Sequence, residues 1–292
     1  MRRSFYEATA RERIEAILDP DSFREILPPS ERVVSPHLQA LGLPVAFDDG
    51  VVIGRGALEA SSVLIAAQEG GFMGGAVGEV HGAKIVGLLR LAQREGVPVV
   101  LLLESGGVRL QEANAGLIAV SEVMRAILAA RTAGVTVVAA IGGQYGCFGG
   151  MGIAAPCCNA IVMSEEGRLA LSGPEVIETA RGVEEFDSRD RALVWRTVGG
   201  KHRYLLGDCS MVVDDDLAAF RAALAASIAA AEPLNLEAVE REQVTLSRRL
   251  EAFGNSRDGL DIWRTLGWSD PGVVPMAYTD VFLAQARSLR AA

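Results

Sequence analysis

The sequence predicts an α/β protein in which a mostly parallel sheet is covered by helices. Half of the 292 residues are hydrophobic, so the chain can bury a large core. Glycine is frequent at 32 residues while aromatic residues make up only 5%, which suits closely packed layers of helix and sheet. A unit of apolar strand, glycine-rich loop and helix occurs three times between residues 63 and 155, and such units are typical of parallel sheets.

The N-terminal region predicts a short helical lead-in over residues 4–27, with a capping box at Thr9–Glu12. Within it, residues 21–27 predict a second short turn, which the two prolines at 28 and 29 stop. A proline-rich loop is expected over residues 28–49. Two β-rich segments, Val51–Leu58 and Val63–Gln68, then predict a hairpin around a connection at residues 59–62.

The central region predicts strands that end in glycine-dense loops. The predicted strands are residues 63–68, 97–103, 135–141 and 160–164, and the loops lie at residues 69–78, 105–107 and 142–152. Helices are expected over residues 77–94 and 112–132, ended by Gly96 and Gly134. Because successive parallel strands end at one edge of the sheet, the three loops are expected to converge where α/β proteins usually bind ligands.

The C-terminal region predicts mainly helices. Pro174 within Ser172–Glu178 suits the first position of a helix. Further helices are expected over residues 187–198 and 214–231, around a strand at 209–213, and three amphipathic helices follow Pro233. We expect one domain over residues 1–292, with its core at about 50–215 and a C-terminal helical region, 214–292, that serves in packing or subunit contact.

Charge, hydropathy and cysteine spacing restrict the class of protein. The net charge of −9 argues against binding to nucleic acid or to an anionic membrane. The N-terminus lacks the apolar stretch of a secretory signal, and the alanine-rich helix at 217–231 is too short to span a bilayer, so we expect a soluble cytoplasmic protein. The four cysteines show no C-x-x-C spacing, so we expect buried free thiols and no metal site: Cys147, Cys157, Cys158 and Cys209.

The turn Ser105-Gly106-Gly107 is the first candidate for a functional site. It directly follows an apolar strand, and its two glycines let backbone N–H groups face outward. The helix expected from Glu112 would add a partial positive charge, so the turn is suited to an anion or a developing oxyanion. An ordinary tight turn is the alternative. The glycine pairs at 74–75 and 149–150, which follow neighbouring strands, favour the functional interpretation.

Four motifs, in this order and spacing, resemble the β-type half of acyl-CoA carboxyltransferases, which belong to the crotonase superfamily. They are Phe72–Gly75, Ser105–Glu112, Gly149-Gly150 and Ser172–Glu178, and the similarity covers roughly residues 50–215. Residues 68–84 and the N-terminal lead-in are most similar to the family of malonate decarboxylase β subunits. The bacterial acetyl-CoA carboxylase subunit has a four-cysteine zinc ribbon before the core, and the absence of a ribbon here favours the decarboxylase family.

The resemblance implies a crotonase-like ββα superhelix with an N-terminal helical lead-in and C-terminal helices. It implies a homologous γ subunit, an acyl carrier protein subunit and its transferase subunit as partners. The substrate would be a malonyl thioester on the phosphopantetheine-type arm of the carrier protein, and the products would be the acetyl thioester and CO2. The sequence has no Met-Lys-Met biotinylation motif, so no cofactor is expected on this chain.

The oxyanion turn and the resemblance lead to one hypothesis about the site. Loss of CO2 from a malonyl thioester leaves an enolate, which backbone N–H groups aimed at the thioester oxygen stabilise, each by roughly 3–4 kcal/mol. We assign one donor to Gly107 or Val108 and the other to Gly149 or Gly150, so Gly150→Val is expected to abolish turnover with the fold intact. The expected substrate-binding residues are Gly74, Gly75, Ser105, Gly106, Arg109, Gln144 and Tyr145.

Several side chains near these motifs have a structural and a functional interpretation. His81 is expected to be a core or helix-surface histidine. Arg109 is suited to an ion pair with Glu112 or to a phosphate or carboxylate of the substrate. Tyr145 and Cys147 are candidates for protonating the enolate or for core packing, and Gln144 for orienting the leaving carboxylate. Two carboxylates at strand ends need partners and receive no catalytic role: Glu69 and Glu104.

Four other functions compete with this hypothesis. A biotin-dependent carboxyltransferase subunit shares the fold and the oxyanion hole but passes the carboxyl group to a biotin protein. A stand-alone crotonase hydratase or thioesterase needs a carboxylate pair or a nucleophile, and none stands out. In a non-catalytic scaffold subunit the glycines would only turn the chain. A Rossmann protein is disfavoured because Gly54-Arg55-Gly56 does not open a helix.

Overall fold

The computed structural model describes residues 3–290 and contains a seven-stranded sheet whose strand order follows the chain. The first three strands pair antiparallel, and β3 to β7 are parallel. The predicted α/β class is therefore confirmed. The strands are β1 Arg24–Ile26, β2 Val51–Leu58, β3 Ser61–Gln68, β4 Val99–Leu103, β5 Val137–Ile141, β6 Ala160–Ser164 and β7 Met211–Val213.

Helices connect and cover the strands. They are α1 Ala10–Ile17, α2 Pro36–Ala40, α3 Glu79–Glu95, α4 Asn114–Thr132, α5 Gly149–Ala154, α6 Pro174–Arg181, α7 Arg191–Val198, α8 Gly200–Leu206, α9 Leu217–Ala229, α10 Leu236–Phe253, α11 Gly259–Thr265 and α12 Thr279–Leu289. The three helices predicted after Pro233 are present. No helix within residues 3–290 is long and apolar enough to cross a membrane.

The sheet separates two layers of core because alternate side chains of each strand point to opposite faces. In β4, Leu101 and Leu103 pack with α3 and α4, whereas Val100 and Leu102 pack with α1 and α9. All five residues of β4, and all five of β5, are buried. This double burial explains why both strands appear in the sequence as uninterrupted apolar runs.

The hairpin of β2 and β3 is confirmed, but its connection is shorter than predicted. Ser61 and Ser62 already pair with β2, which leaves a two-residue turn of Glu59 and Ala60. Both turn residues have positive φ, 50° and 64°, as two-residue hairpins with the twist of the flanking strands require. The two serines lie at the exposed end of the strand, so no apolar residue marks its start.

The N-terminal region departs from the prediction at two places. The capping box of Thr9 and Glu12 begins α1 as expected. The turn predicted over residues 21–27 is wrong, because β1 lies there and pairs with Ile53–Arg55 of β2. The predicted loop of residues 28–49 contains α2, which Ser35 caps by accepting the Leu38 N–H.

The C-terminal helices differ strongly in how they contact the body of the protein. Trp263 of α11 and Phe282 of α12 are fully buried against the face of the sheet that also carries α3. Unlike these helices, α10 has no buried residue. The structure also adds α8, directly after α7, which the sequence did not predict.

Candidate active site

The three glycine-rich loops lie together at the carboxyl ends of β3, β4 and β5, as predicted. Backbone hydrogen bonds join them: the Gly106 N–H donates to the Gly74 carbonyl at 2.8 Å, and the Ser105 N–H donates to the Gly146 carbonyl at 2.8 Å. The Ser105 carbonyl in turn accepts the Phe148 N–H at 2.8 Å. The loops therefore form one rigid unit around the Ser105-Gly106-Gly107 turn.

Short parallel bridges extend this unit beyond the main sheet. Ser105 pairs with Cys147, and Cys147 pairs with Leu169. On the other side of the turn, Val77 pairs with Val108. The segments after three consecutive strands thus continue in register, which fixes the backbone on both sides of Gly107.

Glu104 lies at the centre of the loops, and its partners could not be predicted from the sequence. Its buried carboxylate forms an ion pair with the Arg13 guanidinium of α1 and accepts the Tyr145 N–H at 3.0 Å. Glu69, the other strand-end carboxylate, accepts the Ala10 N–H at 3.0 Å and so satisfies the first turn of α1. Both carboxylates have the structural partners that their burial requires.

The position of Glu104 explains several of the glycines. A Cβ on Gly143 or Gly70 would lie within 2.6 Å of the Glu104 carboxyl group, and a Cβ on Gly75 would lie 1.9 Å from the Glu104 carbonyl oxygen. Gly75 is buried by this contact, so in this structure it packs against Glu104 and presents no surface to a ligand. Gly74 is half-exposed beside the ring of Tyr145.

A buried ion-pair network fixes the segment after the turn. Arg109 Nη1 lies 3.0 Å from both carboxylate oxygens of Asp49 and 2.6 Å from Glu112 Oε1, so the expected pair with Glu112 is present. Burial raises the pKa of Asp49. Burial acts in the same direction on Glu112, but hydrogen bonds from the Glu79 N–H, Ser35 and Arg109 outweigh it and lower the pKa of Glu112. The Arg109 guanidinium is buried, so it positions the turn here and does not face a substrate.

His81 belongs to the core, as expected, and extends the same network. Its Nδ1 atom lies 3.1 Å from the Asp49 carbonyl, and its Nε2 atom lies 3.0 Å from Gln68 Nε2. Burial lowers the pKa of His81 to about 3, and the nearby Arg109 charge acts in the same direction. His81 is therefore neutral, which excludes a role as a cationic group at neutral pH.

The hydrogen bonds of the four candidate oxyanion donors distinguish them. The Gly149 N–H donates to the Leu171 carbonyl at 2.9 Å, and the Gly107 N–H donates to Ser105 Oγ at 3.2 Å. Within residues 3–290, neither the Val108 N–H nor the Gly150 N–H has an acceptor. A Cβ on Gly149 would lie 2.9 Å from Gly107 Cα and 3.8 Å from Val108 N, so the two loops are in direct contact.

Two expectations about this turn need correction. The helix after it begins only at Asn114, behind a 3-10 turn at Leu110–Glu112, and not at Glu112 as predicted. A side chain on Gly150 would lie 2.4 Å from Val120 Cγ1. The variant Gly150→Val therefore disturbs the packing of α5 on α4, and its loss of turnover with an intact fold is no longer expected.

The three polar residues predicted in the third loop have different surroundings. Tyr145 is exposed and its ring lies over Gly70. Gln144 is exposed, and its backbone carbonyl accepts a hydrogen bond from Arg168. Cys147 is fully buried, and burial raises the pKa of its thiol, so it belongs to the core and not to the surface of the site.

Five exposed apolar residues, here called the apolar rim, lie on or next to the segments that carry the two unpartnered N–H groups. Leu110, which is 85% exposed, follows Arg109, and Leu171 carries the carbonyl that binds Gly149. The other exposed members lie on α4 and α5: Leu117, Ile118 and Ile153. Exposed apolar side chains in one region mark a surface that binds a ligand or another protein. The sequence did not predict this rim, because its members are spread over 60 residues.

Comparison with known proteins gives consistent results. The family profile "Carboxyl transferase domain" matches residues 6–243. The malonyl-S-ACP:biotin-protein carboxyltransferase MADC of Malonomonas rubra is 41% identical over 313 residues, covering 99% of this chain and 97% of that protein. The methylmalonyl-CoA carboxyltransferase 12S subunit of Propionibacterium freudenreichii subsp. shermanii is 31% identical over 214 residues, and this chain spans 38% of its length.

Solved structures show the same fold. A chain of the Pseudomonas malonate decarboxylase hetero-tetramer in complex with malonate superposes with a TM-score of 0.83 at 42% identity, covering 90% of this chain and 97% of that one. A chain of the Pseudomonas malonate decarboxylase MdcD-MdcE hetero-dimer gives a TM-score of 0.68 at 40% identity, covering 85% and 97%.

Proposed function

Because the chain belongs to the carboxyl transferase family, we propose that it is the β subunit of a malonate decarboxylase. With a homologous γ subunit, it converts a malonyl thioester on an acyl carrier protein into the acetyl thioester and CO2. A transferase subunit loads the carrier protein. The sequence identity to the Pseudomonas hetero-tetramer and to the Malonomonas rubra enzyme supports this substrate class.

The chemistry requires a site that stabilises an enolate. The bond between the substrate's carboxylate carbon and its α-carbon breaks, CO2 leaves, and the electron pair moves into an enolate whose charge lies largely on the thioester oxygen. A proton then adds to the α-carbon and gives the acetyl thioester. Fixed N–H dipoles near the oxygen favour this transition state over the ground state, since the charge develops only as CO2 leaves.

The observation that carries the proposal is the pair of unpartnered N–H groups of Val108 and Gly150, on two loops that touch. We assign the oxyanion hole to these two groups. Gly107 assists when the Ser105 hydroxyl rotates away from its N–H. Neither donor titrates, so this stabilisation is independent of pH.

The substrate arm is assigned to the apolar rim of Leu110, Leu117, Ile118, Ile153 and Leu171. A phosphopantetheine-type arm has apolar stretches that fit such a surface, and two rim residues adjoin the loops of the N–H groups, since Leu110 follows Arg109 and the Leu171 carbonyl accepts the Gly149 N–H. Tyr145, Gln144 and Gly74 are exposed or half-exposed residues of the loops that contact the Ser105-Gly106-Gly107 turn, and they complete the proposed binding surface. The partner subunit then covers the rim and excludes water from the enolate.

A biotin-dependent transfer is the second candidate, because the Malonomonas rubra relative is a biotin-protein carboxyltransferase. It uses the same enolate and oxyanion hole, but the CO2 passes to a biotin protein. The two routes therefore differ in the acceptor and not in the site.

Reconstitution tests the function. The purified chain is combined with its γ partner and a malonyl-loaded carrier protein, and acetyl thioester and CO2 are measured with and without avidin. Turnover without any biotin protein, unaffected by avidin, is the expected result. Turnover that depends on a biotin protein and stops with avidin would establish the second route, and no turnover under either condition would refute both.

A further inference from the structure

Helix α10 lies on the protein with hardly any packing against it. It has 18 residues and none is buried, although α11 and α12 on its C-terminal side are anchored by Trp263 and Phe282. Among residues 3–290, Arg249 of α10 forms an ion pair with Asp208 at 2.5 Å, and the other ion pair of the helix, that of Arg241, is with Glu232 and Glu237 nearby in the chain. A helix of this length is only marginally stable in water without tertiary packing, so the surface that stabilises it is expected to come from outside the chain.

Most of the large apolar side chains of α10 form one row at heptad spacing, and Val244 lies outside it. Leu236, Val239, Leu246, Leu250 and Phe253 follow one another at intervals of three, seven, four and three residues, with Gln243 in the remaining position. Leu236 and Leu250 are 72% and 74% exposed. Such a row is the seam along which one helix packs on another.

The side chains of α10 that approach the body of the protein belong mostly to another row. Ala238, Thr245 and Arg249 are half-buried, and the middle of their row lies about 100° around the helix from the middle of the apolar row, at 100° per residue. Phe253, at the end of the apolar row, is half-buried as well. In surface helices of globular proteins the apolar row faces the core. Here most of it lies beside the packed row and is exposed to solvent.

The charge beside the row indicates which kind of partner fits. Glu240 and Glu251 lie along its outer edge, and neither has a cation within ion-pair distance among residues 3–290. In a dimer of this chain, two copies of α10 would contact each other through the same edge. If they pair antiparallel, with Val239 opposite Leu250, Glu240 of one copy lies near Glu251 of the other. Like charges there oppose self-association, as does the net charge of −9.

We infer that the apolar row of α10 docks against an amphipathic helix of a different subunit that carries lysine or arginine beside its own apolar row. The occupant is the homologous γ subunit, and this identification rests on the proposed function. The contact lies outside the oxyanion turn, so α10 acts as an arm that holds the complex together and not as part of the catalytic surface.

Binding of the full-length chain to its γ partner tests the inference by sedimentation velocity and titration calorimetry. The double variant Leu246→Asp/Leu250→Asp is expected to raise Kd at least about 30-fold, as loss of central apolar anchors does. The matched control is Arg248→Asp, which also changes the charge by −2 but lies on the opposite side of α10, and its Kd is expected to stay within about threefold of wild type. Far-ultraviolet circular dichroism establishes that both variants keep their helices.

The charge at the edge is tested separately with Glu240→Lys/Glu251→Lys, which is expected to weaken binding to the γ subunit at low salt and less so at high salt.

Unchanged Kd in the leucine double variant would overturn the proposal. A wild-type chain that dimerises alone, and loses the dimer in that variant, would assign the row to a second copy instead. At saturating γ subunit the leucine variant is expected to regain turnover, so a complex that forms but never turns over contradicts the proposed function and not the docking site.

Discussion

The Nε2 atom of Gln68 lies 3.0 Å from the Nε2 atom of His81, and both residues are buried. The carbonyl of Asp49 can only accept a hydrogen bond, so His81 carries its proton on Nδ1 and accepts from Gln68 at Nε2. The Oε1 atom of the same Gln68 side chain then accepts the Glu104 N–H at 3.1 Å, one residue before the oxyanion turn. Protonation of His81 would place two donors face to face and break this chain of hydrogen bonds.

The free energy of unfolding is therefore expected to decrease as the pH is lowered, because of His81. Its folded pKa of about 3 lies below the unfolded value of about 6.5. Below pH 6.5 His81 binds a proton in the unfolded state but stays neutral in the folded state. The free energy of unfolding therefore decreases as the pH falls towards 3. Between pH 7.5 and 5, this one residue accounts for about 2 kcal/mol.

Urea unfolding of wild type and His81→Gln at several pH values measures this effect. The loss between pH 7.5 and 5 is expected to be about 2 kcal/mol smaller in the variant, whatever its stability at pH 7.5. His202, buried with its pKa also lowered to about 3, leaves part of the pH dependence in place. The same pH dependence in both proteins would show that folding does not lower the pKa of His81.

The Arg109 network predicts a large loss of stability when its cation is removed. Arg109→Met leaves the carboxylates of Asp49 and Glu112 buried without their shared partner, which costs about 3–5 kcal/mol. The matched control is Arg125→Met, which breaks the exposed pair with Glu122 and is expected to cost less than about 1 kcal/mol. Similar costs for the two variants, measured by urea unfolding, would contradict the structural role of Arg109.

A comparison of alanine substitutions at Gly75 and Gly96 tests the close packing around Gly75. Both have φ of +67°, so alanine is strained to a similar extent at each, by about 1–2 kcal/mol. A Cβ on Gly96 meets nothing within 4 Å, whereas a Cβ on Gly75 would lie 1.9 Å from the Glu104 carbonyl oxygen. Gly75→Ala is thus expected to lower the melting temperature well beyond Gly96→Ala, and equal melting temperatures would refute the contact.

The proposed oxyanion hole predicts a loss of rate at Gly107. A methyl group on Gly107 would lie 3.6 Å from Gly149 Cα, an ordinary contact, but it would fill the space between the two loops. In the complex with the γ subunit, Gly107→Ala is expected to lower kcat by about 10²–10³-fold, because the methyl group would keep the thioester oxygen away from the Val108 N–H, which is equivalent to losing one oxyanion donor. The control is Gly134→Ala. Gly134 also has a positive φ, and a Cβ there would have no neighbouring atom within 4 Å. A Gly107→Ala variant with near-normal kcat would remove this turn from the proposed chemistry.

The sequence alone determined the features that depend on local pattern. Uninterrupted apolar runs identify β4 and β5 because both faces of these strands are buried, and glycines after each strand predict that the loops meet at one edge. The Arg109–Glu112 pair was predictable as well, since its members are three residues apart. The resemblance to the carboxyltransferase family rested on the same loops.

Only the tertiary structure decided what each loop residue does. Glu104 meets Arg13 across 91 residues of sequence, and Arg109 meets Asp49 across 60, and no local pattern encodes such pairs. For the same reason, Gly75 looks like a ligand-binding glycine in the sequence but packs against Glu104 in the fold, and the Cα of Gly150 packs against Val120. The hydrogen-bond partners of each backbone N–H, which leave Val108 and Gly150 as the unpartnered pair, follow from how distant segments are placed and not from residue type.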